Sequence, residues 1–213
     1  VTKITDPRGA ASTALYDRNG NVVQSTDALG NVTRASYNEL DMPMSVTDPI
    51  WVTTTANYDA AGNLRTIATP VGGQTRAVTL NYDPDVNEAG DVISMVDPAN
   101  KTWGYTYDTY GNRITTTDPL GRITKATYNP VTGWLERMIS PRGVAAGVTT
   151  TCVPPALGCS RFTHDKAGRV LTATDPLNKV TERHYDADGN LDWVKDAKAK
   201  TTTAVYDDAG QLV

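Results

Sequence analysis

Residues Tyr107 to Tyr128 read YDTYGNRITTTDPLGRITKATY, and this stretch decides the fold because it states once, cleanly, a unit that the rest of the chain repeats. Its first turn, Tyr107-Asp108-Thr109-Tyr110-Gly111-Asn112, places an aspartate where a carboxylate can cap a type I turn. Gly111 falls where the backbone needs positive φ before the next strand. Its second turn, Asp118-Pro119-Leu120-Gly121, has Asp at the first position, Pro where φ near −65° is wanted, and Gly at the fourth. Between and after the turns, Arg113 to Thr117 and Arg122 to Tyr128 are rich in Thr and Ile with period-two alternation and no helical stripe. Both read as strands.

The tyrosine recurs at Tyr16, Tyr37, Tyr58, Tyr82, Tyr107, Tyr128, Tyr185 and Tyr206, with His164 standing in its place in THDKAGRV. The steps are 21, 21, 24, 25, 21, 36 (to His164), 21 and 21 residues. The second turn keeps phase with it: Asp6-Pro7-Arg8-Gly9, Asp27-Ala28-Leu29-Gly30, Asp48-Pro49, Thr69-Pro70, Asp97-Pro98, Asp118-Pro119, Ser140-Pro141, Asp175-Pro176 and Asp196-Ala197. A fixed period of this kind marks a repeat architecture. Each unit is a β-hairpin, and hairpins joined end to end make an antiparallel meander, with no parallel sheet. The expected fold is all-β, about nine 21-residue repeats giving about 18 strands, each roughly 20 Å long. A flat sheet of that width would run roughly 85 Å, and open sheets beyond ~10 strands curl or split, so a curved wall, shell or spiral is expected.

The whole chain, residues 1–213, reads as a single array. Departures from the period mark insertions expected to protrude, at about 71–78 (VGGQTRAV), 84–89 (PDVNEA) and 144–160. The chain opens within a unit at VTKITDP and closes within another at YDDAGQLV, as expected for a piece of a longer protein.

The net formal charge of −4 over 213 residues supplies no basic footprint for nucleic acid. With one Phe and a 39% hydrophobic share that is heavy in Ala, large core side chains are scarce, so Thr, Tyr and backbone hydrogen bonds must do much of the holding. No run approaches the roughly 20 apolar residues of a membrane-spanning helix.

The recurring YDRNGN, YDAAGN, YDTYGN, YDADGN and YDDAGQ, alternating with TDPRG, TDALG, TDPLG and TDPLN, resemble the Rhs or YD-repeat family. The resemblance spans nearly the whole chain. It implies a coiled β-wall around a cavity, as in bacterial polymorphic toxins, the shells of insecticidal toxin complexes and the teneurins; in the toxins the cavity holds a C-terminal effector. The bacterial members also carry, near the shell's end, a Gly- and Tyr-rich core module with acidic residues for self-cleavage, which no stretch here matches. The partners it implies are the remainder of the same chain and an enclosed effector domain, in a secreted or cell-surface setting.

Candidate chemistry has a structural counterpart at each place. Tyr16, Asp17 and Gly20; Tyr58, Asp59 and Gly62; Tyr107, Asp108 and Gly111; Asp118, Pro119 and Gly121; Tyr185, Asp186 and Gly189; and Tyr206, Asp207 and Gly210 recur as turn residues rather than as acids or bases. The tyrosine rings, at equivalent strand ends, are expected to stack. Asp186, Asp188, Asn190 and Asp192 place oxygens at alternate positions as a calcium loop does. Leu191 and Ala197 fall where an EF-hand wants Gly and Glu, so the plain turn is the stronger reading. Asp83, Asp85, Asn87, Glu88 and Asp91 form a second acidic loop, read as a solvated insertion.

Cys152 and Cys159 bracket VPPALG and suit a disulfide at a loop tip, in an oxidising compartment; the rival is a pair of free thiols. Zinc would need two more ligands, with His164 and His184 the only imidazoles available. Ser160, His164 and Asp165 lie close in sequence, but triads are built by fold geometry, and His164 holds a tyrosine's place. There is no phosphate loop, dinucleotide fingerprint or HExxH. The expectation is no cofactor and no enzyme: a structural segment of a larger shell. The alternatives are a filament or adhesin built by pairing of open strand edges with further copies, and a glycan-binding surface using Trp51, Trp103, Trp134 or Trp193.

Overall fold

The computed structural model describes residues 2–84, 90–148, 152 and 158–213. Two compact units divide at Trp103/Gly104. The first holds β1 (Thr2–Thr5), β2 (Ala11–Tyr16), β3 (Val22–Thr26), β4 (Val32–Tyr37), β5 (Pro43–Thr47), β6 (Thr53–Tyr58), β7 (Leu64–Val71), β8 (Gln74–Tyr82) and β9 (Val92–Val96). β10 (Thr102–Tyr107) leads into the second, with β11 (Arg113–Thr117), β12 (Ile123–Tyr128), β13 (Leu135–Ile139), α1 (Pro141–Ala145), β14 (Cys159–His164), β15 (Val170–Thr174), β16 (Val180–Tyr185), β17 (Leu191–Lys195) and β18 (Thr201–Thr203). Within each unit every strand pairs antiparallel with its neighbour in sequence, as a hairpin meander requires. No helix among the described residues is long and apolar enough to cross a membrane.

The two turns that look different in sequence share one geometry. At Asp27 the N–H donates to the Asn31 carbonyl at 3.0 Å, and the Gly30 N–H donates to the Asp27 carbonyl at 3.1 Å. At Asp108, in the other turn class, the matching bonds run to Asn112 at 2.9 Å and from Gly111 at 3.1 Å. This is a three-residue loop, a type I turn followed by one residue in the left-handed region. That fourth position is usually Gly, but Asp41, Trp51, Asn100, Asn178 and Ala199 also hold it, with φ between 58° and 68°. For Ala199 no side-chain amide or carboxylate eases that conformation. Ala199→Gly is therefore expected to raise stability by about 1 kcal/mol, read as a higher urea midpoint.

Where the aspartate is missing the turn moves. Thr69-Pro70 does not form the expected turn, because Thr has no carboxylate to gather the loop N–H groups. Instead β7 and β8 run on together to Val71↔Gln74, and the chain reverses at Gly72-Gly73, both at positive φ. Pro70, opposite Thr75, takes a non-hydrogen-bonded pair, where its missing N–H costs nothing. The extra residues of 71–78 thus lengthen a hairpin. The insertion at 84–89 lies, from Asp85 onward, outside the described residues, and with it Asp85, Asn87 and Glu88 of the acidic stretch.

Ser140-Pro141 is a second departure from the expected turn: it opens α1. Ser140 is the N-cap, accepting from the Gly143 N–H at 3.4 Å, and Pro141 occupies the first turn, where its missing N–H is harmless. α1 lies against β12 and β13. Beneath it Ile139, Cys152 and Cys159, exposed by 2%, 3% and 4%, are the buried hydrophobic residues among those described, with Val144 and Val148 packed on them, and Gly143 of α1 is buried as well.

Elsewhere both faces of the sheet reach solvent, and cross-strand pairs replace a core. One face carries hydroxyl pairs: Ser36–Ser45 at 2.6 Å, Thr106–Thr115 at 2.6 Å and Thr163–Thr172 at 2.7 Å. The other carries apolar pairs such as Ala35↔Val46 and Ala56↔Ile67 in the first unit, and Ala126↔Met138 and Phe162↔Ala173 in the second.

Candidate functional site

The feature with the most chemistry per residue is the lattice of turn aspartates and strand-end tyrosines. The aspartates that open the turns spend their carboxylates on their own loops, whereas Asp41, at a fourth position, accepts from the side chains of Asn19 and Asn21 one repeat back. Asp108 Oδ1 accepts from the Tyr110 and Asn112 N–H groups, both at 2.9 Å, and Oδ2 from Asn112 Nδ2 at 3.0 Å. Asp118 and Asp165 add an arginine: Arg122 Nε and Arg169 Nε each donate to Oδ2 at 2.6 Å. Asn38 and Asn129 do the same work with a neutral Oδ1, accepting from Leu40 and Met42, and from Val131 and Thr132.

These bonds hold the carboxyls of Asp17, Asp27, Asp59, Asp108, Asp118, Asp165 and Asp186 below the usual carboxylate value. In Asp17 and Asp27 the side-chain amide of Asn21 or Asn31 is the main cause, and in Asp59 it is the Asn63 N–H. In the other four, partial burial is the largest influence and pushes upward. It is outweighed by the summed donors, led by the Asn112 side chain for Asp108 and by the backbone N–H groups of Arg122, Arg169 and Asn190 for the rest. Carboxyls held ionised by their own loops are poor proton donors.

The tyrosines work differently from the expected ring stack. Successive members of the series sit two strands apart, about 9.6 Å, beyond the range of ring–ring contact. Their hydroxyls reach back one repeat instead. Tyr37 donates to the Val22 carbonyl at 3.1 Å, Tyr58 to Pro43 at 3.0 Å, Tyr82 to Leu64 at 2.9 Å, Tyr128 to Arg113 at 3.2 Å, Tyr185 to Val170 at 3.2 Å and Tyr206 to Leu191 at 3.1 Å. The acceptor in every case is the opening residue of the strand after the preceding first turn. Between these tyrosines and the residue before each, the pairing with the following strand shifts register by one, leaving Met44, Arg65 and Asp192 as the extra residues opposite Tyr37, Tyr58 and Tyr185. Tyr58→Phe is expected to cost about 1 kcal/mol in chemical denaturation. Tyr110→Phe, at a ring 74% exposed, serves as the control and is expected to leave the midpoint unchanged.

His164 occupies the tyrosine slot, opposite Val170 and after the same bulge, and its ring meets Trp134 at 5.6 Å. Ser160 lines a different hollow from His164, and Asp165 is committed to its turn and to Arg169, so the three do not assemble. In the DADGNLD segment, Asp186 bonds the Asn190 N–H and side chain, while Asp192 Oδ1 meets His184 Nδ1 at 2.7 Å. His184 in turn lies parallel to Trp193 at 5.4 Å. No group of three or more His, Cys, Asp or Glu side chains converges among the described residues. Cys152 and Cys159 are joined in a disulfide with Cα atoms 5.9 Å apart, but both are buried against Ile139 rather than exposed at a loop tip.

Fold and lattice together define a β-hairpin repeat protein held by turn carboxylates and interstrand tyrosine hydroxyls. The RHS Repeat family model matches residues 16–49 and 86–123, two stretches of the array whose recurring turns resemble the Rhs/YD family. Two crystal structures share its fold. That of TcdB2-TccC3-Cdc42 matches at 16% identity with a TM-score of 0.51 over 95% of this chain and 14% of the other. That of TcdB2-TccC3 matches at 16% identity and 0.51 over 99% and 14%. The chain thus spans about one seventh of the proteins it matches. No curated protein sequence matches it.

Proposed function

We propose that this chain is a non-catalytic section of the wall of a secreted toxin-complex shell, within a larger protein whose enclosed volume holds an effector. The observation that carries the reading is the recurrent occupation of the repeat's own polar groups: turn-opening aspartates are spent on loop N–H groups and strand-end tyrosine hydroxyls on a neighbouring repeat's carbonyl. Such a lattice supplies rigidity and no reacting centre. The fold shared with TcdB2-TccC3 supports a wall, and the disulfide supports an oxidising setting outside the cell. The remaining wall and the effector are then its partners.

Electron cryomicroscopy of the full-length polypeptide tests this. A closed hollow particle with residues 1–213 in its wall and density inside is expected. An open fibre, or a particle with no enclosed volume, would contradict it.

A further inference from the structure

The repeat is least regular between Asn129 and His164, and a hollow opens there on the first-turn edge of the second unit. The turn from Asn129 to Trp134 is one residue longer than its siblings: the Asn129 N–H donates to the Trp134 carbonyl at 2.8 Å, and the Gly133 N–H to the Asn129 carbonyl at 2.8 Å. The added residue carries Trp134 to the rim. Its indole lies directly on the Gly168 backbone, where a Cβ would meet Trp134 Nε1 and Cε2 at 3.0 Å. The ring is therefore held in place by the next turn while bordering a hollow of about 440 Å³.

The floor of that hollow breaks a pairing rule. Arg137 and Arg161 stand directly opposite each other across β13 and β14, where like charges destabilise a sheet. Among the described residues one carboxylate serves the pair, and weakly: Arg137 Nη1 is 3.8 Å from Glu136 Oε2, and Glu136 also accepts from Asn129 Nδ2 at 3.0 Å. Arg161 Nη2 donates to the neutral Asn178 Oδ1 at 2.8 Å. The hollow is so lined by both arginines, one partly engaged carboxylate, an aromatic rim, and Thr132 and Thr163, whose hydroxyls also bond the Trp134 N–H and Thr172.

We infer that this hollow binds a carboxylate-bearing sugar. The Trp134 face, negative at its centre, accepts the C–H edge of the pyranose ring, and the guanidinium pair takes the carboxylate. The threonine hydroxyls and His164 meet the ring hydroxyls. A volume near 440 Å³ accommodates one or two sugar residues. A neutral sugar would leave the arginine pair as it stands, so the acidic group sets the specificity. The inference does not depend on the shell reading.

Calorimetric titration of the full chain with a glucuronate-terminated tetrasaccharide, 3′-sialyllactose and neutral lactose tests it. At least one acidic probe is expected to bind while lactose does not, and which one binds identifies a uronic or a sialic source. Arg161→Gln should weaken that binding about tenfold or more, and Trp134→Leu should do likewise. Arg161→Gln should also leave the melting temperature unchanged or raise it, since it removes a like-charge pair; Trp193→Leu, outside the hollow, should not alter binding. Failure of both acidic probes, equal binding of lactose, or full affinity in Arg161→Gln would overturn the inference.

Discussion

Replacing Gly158 by alanine is expected to destabilise the unit Gly104–Val213 by about 3 kcal/mol, from a conformational part near 1 kcal/mol and an overpacking part near 2 kcal/mol. Gly158 has φ +78°, which L residues adopt at a cost. An added Cβ would also lie 2.6 Å from the Gly143 nitrogen, 2.9 Å from its Cα, and hard against Ser140 Oγ. Two of those atoms are backbone, and the Gly158 carbonyl already receives the Ser140 N–H at 2.7 Å, so neither side can withdraw. The substitution would therefore prise α1 from Ile139 and from the disulfide beneath it. Gly121→Ala separates the two contributions: its φ is +76°, but nothing stands within 4 Å of the added atom. It should cost about 1 kcal/mol. Urea denaturation of both variants decides; equal costs at the two positions would show that α1 does not press on Gly158.

The second large effect is on acid stability. The turn aspartates have folded-state pKa values below their unfolded ones, so below the unfolded value near 3.9 the native state binds fewer protons than the unfolded chain. By linkage their contribution is complete above about pH 5 and is lost as pH falls through the lowered folded values. Because the same shift recurs along both units, the losses add. Melting temperatures should be flat from pH 7 to about 5 and fall steeply below about 4. Asn38 and Asn129 already close turns with a neutral oxygen, so changing Asp108, Asp118 and Asp186 together to Asn should keep the fold and soften the acid limb. A decline starting near pH 6, or an unchanged acid limb in the triple variant, would place the proton-sensitive groups elsewhere.

Both predictions rest on geometry that the sequence discloses unevenly. The turns were legible wherever Asp and Gly stand three apart, as at Asp118 and Gly121, because each residue type has one physical use there. The turns opened by Asp48 and Asp196 were legible too, but not the backbone conformation of their fourth residues: Trp51 and Ala199 give no sign of positive φ, since the turn's hydrogen bonds impose it on them. Thr69-Pro70 and Ser140-Pro141 matched the turn by spacing alone. Without the carboxylate, the first yields to Gly72-Gly73 and the second to a helix capped by Ser140. The tyrosine period was plain, yet the hydroxyl's acceptor was not. It lies on a neighbouring strand, and only the two-strand separation of successive rings excludes the stack. The Arg137–Arg161 pair was hidden for a related reason: register across an insertion cannot be counted from the sequence.

The central claim is that a 21-residue unit, defined by its turn aspartates and its tyrosine, is the mechanical module of this protein. Excising residues 17–37 joins Tyr16 to Asn38 in phase, so β2 takes the place of β4 beside β5. Excising 17–36 leaves the same composition but for one residue, and shifts the register by one, which reverses every side chain beyond the junction. Circular dichroism and thermal melting of the two deletions compare them directly. A β-sheet spectrum with a cooperative melt near that of the parent is expected for the 17–37 deletion, and a lost or strongly lowered transition for the 17–36 deletion. Equal behaviour of the two, folded or unfolded, would contradict the account.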